Sequence, residues 1–205
     1  MSRYTWLLDP GHGGIIDGVY QTAGKRSPAF PDGSVLYEGE FNREVVRQLL
    51  KFCRSGGFVA IDIVDSLEDV PLRKRVQAAN KIHREKGNCI YVSVHANAFG
   101  NGKDFNGAKG VCTFHHYRSS TGKTLAVSLQ KHLGDLTNLR DRGVRSNETW
   151  ANFYVLRKTN MPAVLSENGF MTNYEDAIAL MEPNVRRNIA LAHYSMIQEI
   201  EENGF

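Results

Sequence analysis

Ile90-Tyr91-Val92-Ser93-Val94-His95 is the stretch whose reading decides the fold. Its near-continuous apolar run is rich in β-branched and aromatic residues. Such runs form strands buried on both faces, at the centre of a largely parallel sheet. The run ends in an imidazole. Two distant runs end in a similar way: Trp6-Leu7-Leu8 leads through Asp9-Pro10-Gly11 to His12, and Ala163-Val164-Leu165-Ser166 leads to Glu167. In open α/β sheets, ligands collect outside the carboxyl ends of the strands. If the three runs are neighbouring parallel strands, two imidazoles and a carboxylate converge there.

The rest of the chain alternates in the same way. Tyr4–Leu8 reads as a strand, and residues 11–39, rich in Gly, Pro, Asp and Ser, read as a long loop. Loops of that length in compact domains are usually functional. From Glu40 onward Phe41, Val45, Leu49 and Phe52 recur at helical spacing until Gly56-Gly57. Val59–Val64 reads as a strand. Asp69 is expected to cap a helix that starts near Pro71 and carries Leu72, Val76, Ala79 and Ile82 on one face. After the central strand come a polar loop over 97–109, a strand over 110–116 and a helix opening at Ser120 or Thr121 with Leu125, Leu129 and Leu133. Residues 135–152 read as irregular. Tyr154–Arg157 and Ala163–Ser166 read as short strands. Asn173 caps a short helix, and Val185–Glu202 forms a last amphipathic one. Strand and helix alternating over one domain predict an α/β, three-layer fold: a twisted, mostly parallel or mixed sheet flanked by helices. Residues 1–205 are expected to be a single domain, without repeat or linker.

Composition narrows the function. The net charge of +3 and the lack of a dense Lys/Arg run argue against nucleic acid as a partner. No run approaches about 18 apolar residues, so membrane insertion is not expected. The start, Met1-Ser2-Arg3-Tyr4, lacks the apolar stretch of a secretory signal. Synthesis in the cytoplasm is therefore expected, with any substrate beyond it reached after release or export. Cys53, Cys89 and Cys112 cannot all pair within one chain and show no metal-binding spacing, so they read as small buried thiols. A monomer is the expected state.

The chemistry starts from His12, set between Gly11 and Gly13-Gly14, and from His95. Two imidazoles at matching strand ends point to a metal. Zinc takes imidazole nitrogen and carboxylate oxygen, and a catalytic zinc keeps a position open for water. A third protein ligand is then required, and Glu38 and Glu40 are both candidates. Acids at that place also stabilise a helix N-terminus. Glu167, followed by Asn168-Gly169-Phe170, is the spare carboxylate that could act as base toward a water. His115 and His116 are adjacent on a strand and face opposite sides. His83 and His132 read as surface residues, and His193 lies in the last helix, away from strand ends.

Five segments, in order along nearly the whole chain, resemble one family, the zinc-dependent N-acetylmuramoyl-L-alanine amidases of type 3. They are Leu8-Asp9-Pro10-Gly11-His12-Gly13-Gly14, Glu38-Gly39-Glu40-Phe41-Asn42, Arg75-Val76-Gln77-Ala78-Ala79-Asn80, Ser93-Val94-His95-Ala96-Asn97-Ala98 and the run from Pro162 to Asn173. The resemblance implies Zn²⁺ held by His12, Glu38 and His95, with Glu167 as catalytic acid/base. It selects Glu38 over Glu40, because the family's acid stands four places before an Asn, here Asn42. It implies a sheet of about six strands. The implied substrate is peptidoglycan, cut between the lactyl group of N-acetylmuramic acid and the first L-alanine of the stem peptide. Asn97, Asn168, Lys25 and Arg26 are candidates for substrate contact. The chain departs from the pattern at Ser166 and Asn168, which flank the acid, and in the long stretch 22–35. A phage endolysin acting in host lysis is the favoured setting. The competing readings are a zinc peptidase of related fold and a non-catalytic peptidoglycan-binding regulator.

Overall fold

The computed structural model describes residues 2–146 and 152–205. The chain runs β1 (Thr5–Pro10), β2 (Ile15–Ile16), β3 (Val19–Tyr20), α1 (Glu38–Ser55), β4 (Val59–Asp62), α2 (Leu72–Lys86) and β5 (Cys89–Asn97). It continues through β6 (Val111–His115), α3 (Ser120–Thr137), β7 (Asp141–Ser146), α4 (Tyr154–Lys158), β8 (Ala163–Phe170), α5 (Tyr174–Met181) and α6 (Pro183–Asn203). Among the described residues six strands form one sheet in the order β4-β1-β5-β8-β6-β7. All neighbours are parallel except β6 and β8, which run antiparallel.

Side-chain alternation along the strands builds the three layers. Trp6, Leu8, Ile90, Val92, Val94 and Val164 join residues of α1, α3 and α6 in one core. Leu7, Cys89, Tyr91, Cys112, Phe114 and Leu165 join Val76 and Ala79 of α2 and Val155 and Leu156 of α4 in the other. Continuing the same alternation puts His95 and Glu167 on the α2/α4 face. Fully burying a large apolar side chain contributes about 1.5–3 kcal/mol, and Trp6, Leu7, Leu8, Ile90 and Val92 are all inaccessible. Strands β1 and β5 are thus firmly anchored in the sheet. All three cysteines are free and buried.

Four elements differ from the sequence expectation. Tyr154–Lys158 is a helix, not a strand. Its Val155 and Leu156 turn onto the α2 side of the sheet, which a short alternating run does not reveal. Residues 135–152 are not wholly irregular, since α3 extends to Thr137 and Asp141–Ser146 forms the edge strand β7; residues 147–151 of that stretch lie outside the described residues. The loop 11–39 contains the β2–β3 hairpin, turned at Asp17-Gly18, both at positive φ, a common two-residue hairpin turn. Asp69 does not cap α2. The helix begins after Pro71 without a side-chain cap, and Asp69 lies instead 3.9 Å from Arg75. Asn173 does cap α5, accepting from the Asp176 amide at 3.1 Å.

Candidate metal centre and active site

His12 follows β1, at the carboxyl end of a strand anchored between β4 and β5. Its backbone is in the left-handed region, φ 67°, which is uncommon for a non-glycine residue. Three contacts hold it there. Arg43 Nη1 and Arg75 Nη2 donate to the His12 carbonyl at 2.8 and 3.0 Å. The next amide, Gly13 N, donates to Thr22 Oγ1 at 2.8 Å. Gly11 serves close packing instead, since any Cβ there would lie 2.1 Å from the His95 ring. Only glycine lets β1 and the second imidazole approach so closely.

Behind these residues lies a buried polar network. Asp9 accepts from Arg75 Nη1 at 2.6 Å, from Ser93 Oγ at 2.9 Å and from the Tyr91 hydroxyl. Arg75 also donates to the carbonyls of Pro10 at 2.6 Å and Val70 at 2.8 Å. Asp9 and Arg75 are 1% and 2% exposed. A buried ion pair with this many satisfied donors costs little, whereas losing one partner strands a charge. Its effect here is to fix the backbone from Pro10 to His12.

Helix α1 supplies the third group. It begins at Glu38, two residues before the point at which the sequence periodicity becomes visible. Gly39 lets the helix start against the Gly13 carbonyl, which a Cβ would strike at 1.7 Å. The two acids of the first turn then diverge. Glu40 Oε1 accepts from the Ile15 amide at 3.0 Å and is committed to the loop. Glu38 is 2% exposed; Oε1 lies 3.0 Å from His95 Nδ1 and Oε2 lies 3.2 Å from His12 Nε2. Asn42, one turn on, donates to the Gly11 carbonyl at 3.0 Å.

One ligand atom from each of His12, Glu38 and His95 lies within 4.8 Å of the others. Burial alone would raise the Glu38 carboxyl pKa. The hydrogen bonds and charges of His12 and His95 outweigh that and hold it at about 2. Glu38 Oε2 is buried, and its approach to His12 Nε2 at 3.2 Å falls short of hydrogen-bond geometry, so among the described residues it has no full hydrogen-bond partner. An ionised carboxylate facing two imidazoles with an orphaned oxygen is the donor set a divalent cation of zinc type takes. The residues present fit such an ion.

Glu167 lies beside His95 in the β5–β8 register. Burial pushes its carboxyl up to about 8; His95 and Lys25 draw it down and Glu38 adds to the rise. Among the described residues its Oε2 has no hydrogen-bond partner. A cavity of about 270 Å³ has His12, Lys25, Glu38, His95, Asn97 and Glu167 in its wall. The site therefore pairs an acid held ionised by two imidazoles with an acid whose proton affinity burial raises, an arrangement suited to proton transfer.

The other candidates separate. Lys25 and Asn97 line the cavity. Arg26 does not; its Nη1 turns to the Ser27 carbonyl at 3.2 Å. Asn168 is fully buried behind the site, donating to the His95 carbonyl and to Ser166 Oγ, each at 2.9 Å. It braces His95 from below and presents no side chain to a ligand. His193 departs from the sequence reading. It is fully buried and its Nε2 lies 2.9 Å from Ser166 Oγ, one residue from Glu167. Its Nδ1 lies 2.8 Å from the Ile189 carbonyl. That carbonyl can only accept, so Nδ1 carries the proton and Nε2 accepts from Ser166. Ser166, a departure from the family pattern, is thereby partnered. Sequence reasoning misses Asp9, Arg75 and His193 as support for the site, although a charge inside an apolar motif is a visible signal at the first two.

The fold and this arrangement define a class first: an α/β protein whose strand ends gather a candidate divalent-metal site beside a spare acid. Comparison with known proteins narrows it. A family model described as N-acetylmuramoyl-L-alanine amidase matches residues 7–199. An uncharacterized cell wall amidase of Bacillus anthracis is 35% identical over 207 residues, 97% of this chain and 35% of that protein. An endolysin of Bacillus phage SPP1 is 32% identical over 204 residues, 98% of this chain and 66% of that protein. The crystal structure of an N-acetylmuramoyl-L-alanine amidase from Clostridium difficile 630 superposes with TM-score 0.80 at 26% identity, over 100% of both chains. The chain belongs to the type 3 N-acetylmuramoyl-L-alanine amidase family. It spans about a third of the length of two bacterial relatives, 35% of one and 32% of another.

Proposed function

We propose that residues 1–205 form a single catalytic domain that hydrolyses the amide between N-acetylmuramic acid and L-alanine in peptidoglycan, with zinc as cofactor. The observation that carries this reading is the cluster of His12, Glu38 and His95 in one cavity with Glu167. His12, Glu38 and His95 would hold the ion. Bound there, zinc supplies Lewis acidity to a carbonyl oxygen and lowers the pKa of water to about 7.

The chain's own residues do the rest. Glu167, buried and unpartnered at Oε2, takes a proton from the attacking water and returns it to the departing L-alanine nitrogen. Burial raises the proton affinity of this carboxyl, which suits it to carry the proton between water and leaving nitrogen. Lys25 places a positive charge at the cavity mouth, suited to an anionic part of the wall polymer. Asn97 offers a polar side chain in the same wall.

The reaction is tested on purified sacculi. Turbidity should fall with the protein and zinc, and chelator should stop it. Mass analysis should find free lactyl carboxylates on muramic acid and new N-terminal alanines; peptides cut elsewhere would make it a peptidase. Binding to sacculi without soluble fragments would make it a regulator. We place its action in host lysis, a setting supported by the phage endolysin among its relatives. Among the described residues no helix is long and apolar enough to cross a membrane.

A further inference from the structure

The row of side chains that starts at the metal centre does not stop at Glu167. His95 pairs in register with Glu167, and Glu167 pairs with Cys112 of β6. The next strand out is β7, where the register slips. Val111 faces Asp141 but Thr113 faces Val144, so two residues, Arg142 and Gly143, stand opposite Cys112. Gly143 has φ 75°, the conformation that lets a strand take in one extra residue. Residues three apart on a regular strand face opposite sides. Because of the bulge, Arg142 and Arg145 reach the same side, the side of Glu167.

Both arginines line a second cavity of about 410 Å³. Glu167 and Asn97 belong to its wall as well as to that of the metal cavity. Phe99 and Phe114 give it apolar sides. The Arg142 guanidinium stacks 5.0 Å from the Phe170 ring centre. Its Nη1 donates to the Lys109 carbonyl at 3.2 Å. Its Nε is buried without an acceptor among the described residues. Arg145 Nη2 donates to the Arg142 carbonyl at 3.3 Å. Two guanidinium groups in an aromatic-walled cavity, with the Glu167 carboxyl on the side toward the metal centre, are suited to a planar carboxylate, which arginine binds in bidentate fashion.

We propose that this cavity is a subsite for a carboxylate of the substrate peptide, held by Arg142 and Arg145. The proposal rests on the amidase reading and deepens it, by naming the chemistry that selects among stem peptides. Three interstrand steps of about 4.8 Å separate β5 from β7, roughly 14 Å. An extended peptide rises about 3.4 Å per residue. Allowing for the reach of the guanidinium, the carboxylate lies roughly two to four residues from the scissile amide.

The test uses two soluble muramoyl-peptides that differ at one position, a free carboxylate in one and its primary amide in the other. The zinc-loaded protein should favour the acid by about tenfold in kcat/KM, mostly through KM. Arg142→Ala and Arg145→Ala should each reduce that preference to about twofold or less, and Arg142→Lys should leave an intermediate value. Equal cleavage of both peptides by the unmodified protein, or variants that keep the preference, would overturn the subsite. Calorimetric titration of the same peptides into Glu167→Gln protein gives a second reading, independent of turnover. Preferential binding of the acid, lost with Arg142→Ala, supports the subsite even if neither peptide is cut, in which case the amidase reading alone fails. Thermal melting of each variant separates misfolding from lost recognition.

Discussion

The two ends of the catalytic row are built on different principles. On the β1–β5 side, polar groups brace one another: Asp9 with Arg75, Tyr91 and Ser93, and Arg43 and Arg75 on the His12 carbonyl. On the β8–β6–β7 side, buried groups stay open among the described residues, as at Glu167 Oε2 and Arg142 Nε. A metal site works only if its ligands are held to a fraction of an ångström, which explains the bracing. An acid that must receive and deliver protons needs an uncommitted oxygen, and a recognition arginine needs an uncommitted donor. Bonds made around Asp9 and Arg75 hold the metal end in place, whereas Glu167 Oε2 and Arg142 Nε are left without a partner among the described residues on side chains that line the two cavities.

The sharpest break in this comparison removes one group from each end. His12→Ala and His95→Ala should abolish turnover and lose zinc, read by metal analysis after gel filtration. Glu167→Ala should keep the zinc yet lose roughly 10²–10⁴-fold in kcat, the usual weight of a general acid/base. Full metal content in either histidine variant would remove it from the ligand set, and near-normal turnover of Glu167→Ala would remove the acid.

A break confined to the braced side follows in size. Arg75→Met strands Asp9 as an unpaired charge and should cost about 3–5 kcal/mol in urea unfolding. It should also lower zinc affinity, because the His12 backbone loses one of its holders. Unchanged stability would mean that Asp9 is relieved by some other group.

Behind Glu167 the comparison can be sharpened with pH. Burial lowers the His193 pKa from 6.5 to about 4, with the Ile189 carbonyl opposing in part. Between those values the unfolded chain binds the proton that the folded chain refuses. Stability is therefore intact above pH 6.5 and falls as the pH drops toward 4, by about 3 kcal/mol over the whole interval. Unfolding curves across roughly pH 4–7 measure this, and His193→Gln should flatten the fall. A variant with the original slope would assign the loss to other groups.

Lys25→Ala should have the smallest effect. Lys25 is exposed and lines the cavity, so a rise in KM of a few-fold with kcat kept is the expected outcome. Steady-state kinetics at low salt would show it, and identical constants would leave Lys25 a solvated loop charge.

Particular residues show how far the sequence can be read. His12 and His95 are legible because each follows an apolar run, and such runs become central strands whose carboxyl ends converge. The choice between Glu38 and Glu40 is not legible from spacing, since both sit in one helical turn; only the Ile15 amide, folded back onto Glu40, separates them in space. The short helix at Tyr154–Lys158 reads as a strand because a few alternating residues suit either element. Strand β7 is invisible in Asp141-Arg142-Gly143-Val144-Arg145-Ser146, since a charged edge strand lacks an apolar signature.

The sequence by itself determined the class of fold, the order of most of its strands and helices, and the residue types able to bind a cation and move a proton. These follow from local patterning, which survives in one dimension. Tertiary structure alone decided that Asn168 and His193 stand behind the site and that Arg142 and Arg145 share a wall with Glu167, and it supplied the physical reason, the Ile15 amide on Glu40, why Glu38 is the acid that faces the imidazoles. Each of those depends on register, a bulge or a close backbone approach, and these exist only once distant segments pack together.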